Sequence, residues 1–369
     1  MQEENRQQGN DSPPYKVGAR GGSLCYISRN YYGLSGAGNK AKTDIERTLQ
    51  GMGARNLGLR TTFYDNKVVA FVLNLVGIVK MMFCIRKGDR LVLQYPVKKY
   101  FSFICRVAHW RKAKIIVIIH DLMSLHRKRV TLETELSRLS KGDVIIASNE
   151  KMQEWLAAQG LQRPMTALGL FDYRSDATPN SKPTSHPTPL TSHLSLVYAG
   201  ALVMRKNSYL LELANKAEHF DLHIYGNADG LPGIEKAPHA VCYPFTPADE
   251  FIRNADGDFG LVWDGDSLET CQGDFGEYLR YNSPHKVSFY LRAGLPVIIW
   301  REAAVASIIE QEGIGITIAS IAELEQRLQT ITTEDLERMR NNVARVSQRL
   351  ASGHYFQQAL RSALDLLSF

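Results

Sequence analysis

The chain lacks the cysteine patterns that bind a structural metal or staple a secreted fold. Its five cysteines (Cys25, Cys84, Cys105, Cys242 and Cys271) are scattered, with no CxxC pair. This argues against a zinc ribbon or disulfide framework and fits a reduced compartment. The polar start, rich in Gln, Glu, Asn and Arg, lacks the basic and then apolar run of a signal peptide, so a cytoplasmic protein is expected. No repeat at a solenoid period is visible. A complete GxGxxG is also missing. In Gly33–Lys40 only Gly36 and Gly38 are well placed, so the loop reads as a phosphate- or acceptor-facing segment ending in Lys40 rather than a dinucleotide fingerprint.

Acidic residues are scarce in one half only. Residues 23–172 hold 24 Lys/Arg and 11 Asp/Glu, a difference of +13, whereas residues 173–369 hold 17 and 24, a difference of −7. The first 22 residues balance, and the sum is the net charge of +6. A basic half joined to an acidic half suits contact with an anion: nucleic acid, anionic lipid or a phosphorylated acceptor. Twelve Lys/Arg lie between Arg86 and Arg129, opposed only by Asp89 and Asp121. Nucleic acid is disfavoured, because no recognition motif or aromatic-basic stacking platform accompanies the charge.

The one long apolar run, Val68 to Ile85, is broken by Asn74, Gly77 and Lys80 and only just reaches a spanning length. A strand pattern follows at once, so the run is expected to be a helix packed against a sheet, with peripheral contact to an anionic membrane left open.

The rest of the chain alternates β-branched runs with helical periods. Strands are expected at Ser23–Ser28, Arg90–Tyr95, Lys114–His120 and Asp143–Ser148, and helices at Lys40–Met52 and up to Trp155. Residues 173–193 are rich in Pro, Ser and Thr without an apolar period. The alternation then restarts with strands at Leu194–Ala199, Asp221–Tyr225, Phe259–Trp263 and Pro296–Trp300, and helices at Ser208–Glu218 and Pro284–Ala293. Thr333–Leu367 is one long amphipathic pattern. The expected organisation is a flexible tail at 1–22, α/β domains at 23–172 and 194–350, a linker or loop at 173–193, and a C-terminal helix at 351–369 that packs back on the first domain. Two doubly wound domains enclose a cleft, and ligands of such sheets bind beyond the carboxyl ends of the strands.

The chemistry-bearing residues fall at those ends. In Tyr281-Asn-Ser-Pro-His-Lys286, Ser283 suits a helix N-cap and Pro284 the first helical position, with Asn282, His285 and Lys286 alongside. Such a helix start is an anion site. An ordinary capped helix with a solvated lysine explains the same residues. Gly200 ends a strand before Arg205 and Lys206, and Gly226 follows the next strand. His120 and Asp121 close the KIIVIIH strand. Asp121 suits a general base and His120 a polar contact, although a helix cap beside a core histidine is the plainer alternative. The Asp264-Gly-Asp266 triplet imitates a metal-binding DxD. With Glu269 it is read instead as a polar cleft loop, so no metal is expected.

The block Phe259-Gly-Leu-Val-Trp-Asp-Gly-Asp-Ser-Leu-Glu-Thr-Cys271 carries a likeness, extended by Asn282–Lys286, Leu295–Trp300, Ile119-His120-Asp121, Tyr198-Ala-Gly200 and Lys206. It resembles the bacterial β-1,6-galactofuranosyltransferases of O-antigen assembly. More distantly it is similar to the glucosyltransferases that extend GlcNAc on serine-rich-repeat adhesins. The resemblance implies a GT-B fold (two Rossmann-like domains facing a cleft), an acceptor on the first domain and a UDP-sugar donor on the second. It implies a phosphate role for Lys206 and Lys286, and inversion at the anomeric carbon. It also suggests a surface-polysaccharide acceptor, lipid-linked or not, on the cytoplasmic side of the membrane. Self-association and the acceptor's identity stay open. So does the competing reading of a non-catalytic partner subunit with a degenerate cleft. Should Asp121 not be the base, Asp44, Glu133 and Glu135 are next in line.

Overall fold

The computed structural model describes residues 22–31, 37–97, 100–126, 130–180 and 194–368. The expected tail, Gly36, and most of the Pro/Ser/Thr-rich segment lie outside the described residues.

Two six-stranded, all-parallel sheets organise the chain. The first holds β1 (Leu24–Tyr26), β2 (Arg55–Asn56), β3 (Arg90–Tyr95), β4 (Lys114–Ile119), β5 (Val144–Ala147) and β6 (Met165–Ala167) in the order β2-β1-β3-β4-β5-β6. The second holds β7 (Leu194–Ala199), β8 (Phe220–Tyr225), β9 (Ala240–Tyr243), β10 (Phe259–Val262), β11 (Val297–Trp300) and β12 (Gly315–Ile318) in the order β12-β11-β10-β7-β8-β9. β4 shows why the pattern is readable. Ile115 to Ile119 are all fully buried, as a parallel strand covered on both faces requires. In the first sheet the order reverses between β1 and β3. In the second it reverses between β7 and β10. Those switch points open the crevices in which such sheets take ligands.

The two units are stitched together by buried polar bonds. Ser283 Oγ shares its hydrogen between Ser148 O at 2.9 Å and Gly169 O at 2.8 Å, and accepts from Asn149 Nδ2 at 3.0 Å. Ser288 Oγ donates to Phe171 O at 2.5 Å. The buried Arg292 donates to Ser175 O, Ala177 O and Ser347 Oγ. Residues 173–180 are therefore partly an anchored strap rather than an exposed linker, with Tyr173 and Ala177 both buried.

The long C-terminal pattern is two helices, Thr333–Ser352 and His354–Leu366, because Gly353 adopts a left-handed φ of 81° between them. The second packs on β5 and β6 of the first sheet. The Asp172 carboxylate accepts from its Tyr355 and Phe356 amides at 3.1 and 2.7 Å. The apolar run at 68–85 forms the helix Lys67–Cys84, started by Asn66, whose side chain accepts from the Val68 and Val69 amides. Only Ala70, Gly77, Ile78 and Met81 of that helix are buried. The sequence pattern suggests a helix buried against the sheet. Instead one narrow stripe packs and the wider apolar face is exposed.

Candidate active site

The second sheet's switch point gathers the charges. Gly200 follows β7 with φ of 146°, and a Cβ there would stand 3.3 Å from Lys286 Cε. Glycine thus lets the backbone pass close beneath the lysine. Gly226, after β8, is equally tight, since a Cβ would sit 2.5 Å from Gly200 O. Lys206 comes from the short helix Met204–Asn207, and Asp264 from the turn after β10. Asp264 Oδ2 lies 3.3 Å from Lys206 Nζ, and its Oδ1 lies 3.8 Å from Lys286 Nζ. Lys286 Nζ also stands 3.7 Å above the Tyr198 ring. Enclosure of this ammonium and the nearby Lys206 outweigh Asp264 and bring its pKa down to about 7.

The helix carrying Lys286 begins differently from the sequence expectation. It spans His285–Arg292, and Pro284 occupies the N-cap position without a side-chain cap. Ser283 does not cap it, because its hydroxyl is already committed to Ser148 and Gly169. The helix start therefore keeps its amides free of side-chain capping. Around it, several enclosed polar atoms have no hydrogen-bond partner among the described residues: Asn282 Oδ1, both His285 ring nitrogens, Lys286 Nζ and Asp264 Oδ1. Burial followed by Lys40 lowers His285 to a pKa of about 3, so its ring is neutral. Clustered polar atoms of this kind are expensive unless something polar fills the space between them.

The first sheet contributes the facing wall. His120 follows β4 and is buried, with its Nε2 2.8 Å from Gln94 Oε1. Burial above all, then Lys42, holds its pKa well below the usual histidine range. Its ring stacks on Phe171 at 5.1 Å, and Phe171 stacks in turn on His285 at 5.1 Å. An aromatic ladder thus joins the two units. Asp121 is different. Its side chain is 45% exposed and 3.6 Å from His126 Nδ1. The His126 ring stacks on Tyr278 at 4.8 Å and meets Phe275 edge-on at 5.4 Å. Arg205 and Lys206 stand over that same Phe275 ring, at 5.1 and 5.5 Å. A continuous wall therefore runs from Asp121 to the paired lysines.

Other expected residues are placed elsewhere. Lys40 Nζ binds the Asp44 carboxylate and Arg174 O, so it clamps the strap rather than facing a ligand. Gly38 lies in the first turn of the helix Ala37–Gly51. Asp266 accepts from Gln272 Nε2 at 3.0 Å, and with Glu269 lines a groove beside Lys216 and Glu325. Only Asp264 of the triplet pairs with the lysines, and no group of three or more His, Cys, Asp or Glu able to hold a metal is found among the described residues. Of the reserve bases, Glu133 is exposed in the first turn of the helix Leu132–Leu139, and the other two are engaged. Glu135 is buried and accepts from Tyr95 OH and the Met123 and Ser124 amides, fixing the turn after Asp121. Asp44 holds Lys40 and the Arg174 amide. The sequence assigned no site role to Gln94, Asn149, Phe171, Tyr198, Phe275 or Tyr278. Each reads as ordinary core or loop until the topology brings its partner across.

Two facing doubly wound sheets with a polar cleft between them define a GT-B glycosyltransferase. The comparisons agree. Models of the glucosyltransferase 3-like N-terminal and C-terminal domains match residues 24–170 and 196–363. The chain is 30% identical over 299 residues to the beta-1,6-galactofuranosyltransferase WbbI of Escherichia coli (strain K12), covering 81% of this chain and 86% of that protein. It is 25% identical over 354 residues to Glucosyltransferase 3 of Streptococcus gordonii, covering 92% and 98%. Among solved structures, an apo structure of OtsA superposes with a TM-score of 0.59 at 11% identity, covering 93% of this chain and 99% of that one. The chain belongs to the glucosyltransferase 3-like family, and it is a glycosyltransferase.

The enclosed lysine has a measurable signature. Its folded pKa of about 7 lies below the usual lysine value of 10.5, so the folded state resists the proton. The resulting penalty is full below about pH 7 and disappears as pH rises toward the unfolded value, on the order of a few kcal/mol across the window. Lys286→Met should flatten this part of the stability–pH curve and stabilise the protein at neutral pH. Urea unfolding of both proteins between neutral and alkaline pH checks this, and parallel curves would contradict it.

Proposed function

We propose that the protein transfers a hexose from a UDP-sugar to a glycan acceptor with inversion, and that the sugar is galactofuranose. The observation that carries the donor half is the set of enclosed, unpartnered polar atoms at Asn282, His285 and Lys286, beside Lys206 and Asp264. A diphosphate leaving group gains charge as the sugar–phosphate bond breaks. Two lysines and an uncapped helix start are suited to stabilise it. Asp264 holds the lysine pair apart and offsets their repulsion while the diphosphate is absent. Gly200 and Gly226 keep the backbone low enough for the donor to lie over the β7 and β8 ends. Arg205 steadies the Phe275 wall.

On the acceptor side, Asp121 is the proposed base. It is half-exposed at the end of β4 beside His126, whereas Glu135 and Asp44 are buried and bonded within the fold. It would take the proton of the attacking hydroxyl as the C–O bond to the anomeric carbon forms and the UDP oxygen departs on the opposite face. His120, neutral and fixed by Gln94, would contact the sugar. The galactofuranose choice is supported by the likeness to WbbI, a beta-1,6-galactofuranosyltransferase. The likeness to Glucosyltransferase 3 favours glucose as the second reading. The five free cysteines suit a reducing, cytoplasmic setting. Incubation with UDP-galactofuranose, UDP-galactose and UDP-glucose decides between them. UDP release from the furanose donor alone supports the proposal, and preferential use of UDP-glucose overturns the sugar.

The two halves should separate in mutants. Lys286→Ala should weaken UDP binding and lower turnover by about 10²–10³. Asp121→Asn should lower turnover by about 10²–10⁴ while leaving UDP affinity nearly unchanged. Calorimetry with UDP and a transfer assay check both, and near-normal turnover in Asp121→Asn would move the base elsewhere.

We also propose metal-independent transfer, since lysines engage both oxygens of Asp264 and the other two acids face a different groove. Activity should survive EDTA. Loss restored by Mg²⁺ or Mn²⁺ would contradict this.

A further inference from the structure

The helix Lys67–Cys84 turns its most apolar side outward. Val68, Phe71, Val72, Leu75, Val76, Val79 and Phe83 are exposed, and Phe83 is 76% so. The helix is long and apolar enough to cross a membrane by length and composition. It is nevertheless held on the fold. Its stripe of Ala70, Gly77, Ile78 and Met81 packs inward. Lys80 Nζ donates to Gly58 O at 2.8 Å, and Asn74 Oδ1 accepts from the Asn30 amide at 3.1 Å. The outward face is therefore a surface about 27 Å long.

The neighbouring helix Phe101–Trp110 extends the patch. It packs beside Lys67–Cys84 and exposes Phe103 and Trp110, the latter by 75%. Arg111 joins the two ends, donating to Met82 O at 3.3 Å while its guanidinium stands 5.5 Å from the Trp110 ring. The rim is cationic. Arg86 and Lys87 follow the first helix, Arg106 lies one turn before Trp110, and Lys112 follows Arg111, all four exposed. Asp65 stands exposed before the other end of the helix, whereas Asp89, which follows the Arg86-Lys87 pair, is buried and bound to Arg55.

We propose that this face docks on an anionic lipid surface, with the Lys67–Cys84 helix lying in the plane of the interface. An apolar face edged by cations, with a tryptophan at its margin, is complementary to acyl chains beneath anionic headgroups. A second copy on the same face is the other occupant such a patch admits, and the test below separates the two. The inference stands apart from the donor and acceptor assignments, since it concerns a surface outside the cleft and its test needs no sugar donor.

Co-sedimentation of the full chain with phosphatidylcholine vesicles, with and without phosphatidylglycerol, tests it. Binding should require the anionic lipid and fall with added salt. Arg86→Gln with Lys87→Gln should weaken it by about thirtyfold, at roughly fivefold per surface charge. Val72→Ser, Val79→Ser and Phe83→Ser together should abolish it, with UDP binding retained as the check on folding. If that triple variant fails to fold, the charge variant still decides. Absence of binding at low salt, or wild-type binding by the charge variant, overturns the proposal. So does a dimer in light scattering that the serine substitutions dissolve without any vesicle binding by the wild type.

Discussion

The enclosed ammonium of Lys286 is the constraint around which the second unit is arranged. A lysine shut away from water is costly, and among the described residues nothing accepts a hydrogen bond from it. Asp264 at 3.8 Å and the Tyr198 face at 3.7 Å only partly repay that cost. Lys206 works against it, since the two cations share one carboxylate. The glycine at position 200 is required because any side chain there would press on the lysine stem. A fold that keeps such an arrangement gives up stability for a charge aimed at a ligand, which is the usual trade at a preorganised site.

Preorganisation depends on the two units being held in register. The polar bonds of Ser283, Ser288 and Arg292 lie on or next to the segment that carries His285 and Lys286, so the cation site and the interdomain seam are the same piece of chain. The ladder His120–Phe171–His285 adds a second seam. It places a neutral imidazole of the first unit in line with the helix start of the second. The helix His354–Leu366, anchored by Asp172, closes the loop by covering the first sheet. Movement of one unit against the other would have to break several of these buried bonds together.

Much of the fold was legible because its signals are local. The β-branched runs of β4, β5 and β11 are buried on both faces, and no other element accommodates such runs as well. Lys206 and Lys286 were singled out because they follow a strand end or open a helix, and the structure brings both to Asp264. The helix cap at Ser283 was misread because its true partners, Ser148 and Gly169, are more than a hundred residues away. The acidic triplet divides in the structure. Asp264 turns toward remote lysines and Asp266 toward a neighbouring glutamine, and no local pattern separates the two. Phe171, Phe275 and Tyr278 carry no signal of their own, since an aromatic residue in a loop looks like core until its stacking partner is known. The Lys67–Cys84 helix was misjudged for the opposite reason: its composition suggested burial, and only the packing shows which side is covered.

The central claim is that Lys286 receives the diphosphate. A lysine with a pKa near 7 must take up a proton to pair with it, so binding and protonation are linked. Calorimetric titration of UDP at about pH 8, in buffers of differing ionisation enthalpy, measures that proton directly. The account predicts net proton uptake by the wild type, shrinking as the pH is lowered, and none attributable to this site in Lys286→Met. Binding without proton uptake, or equal uptake by both proteins, would contradict it.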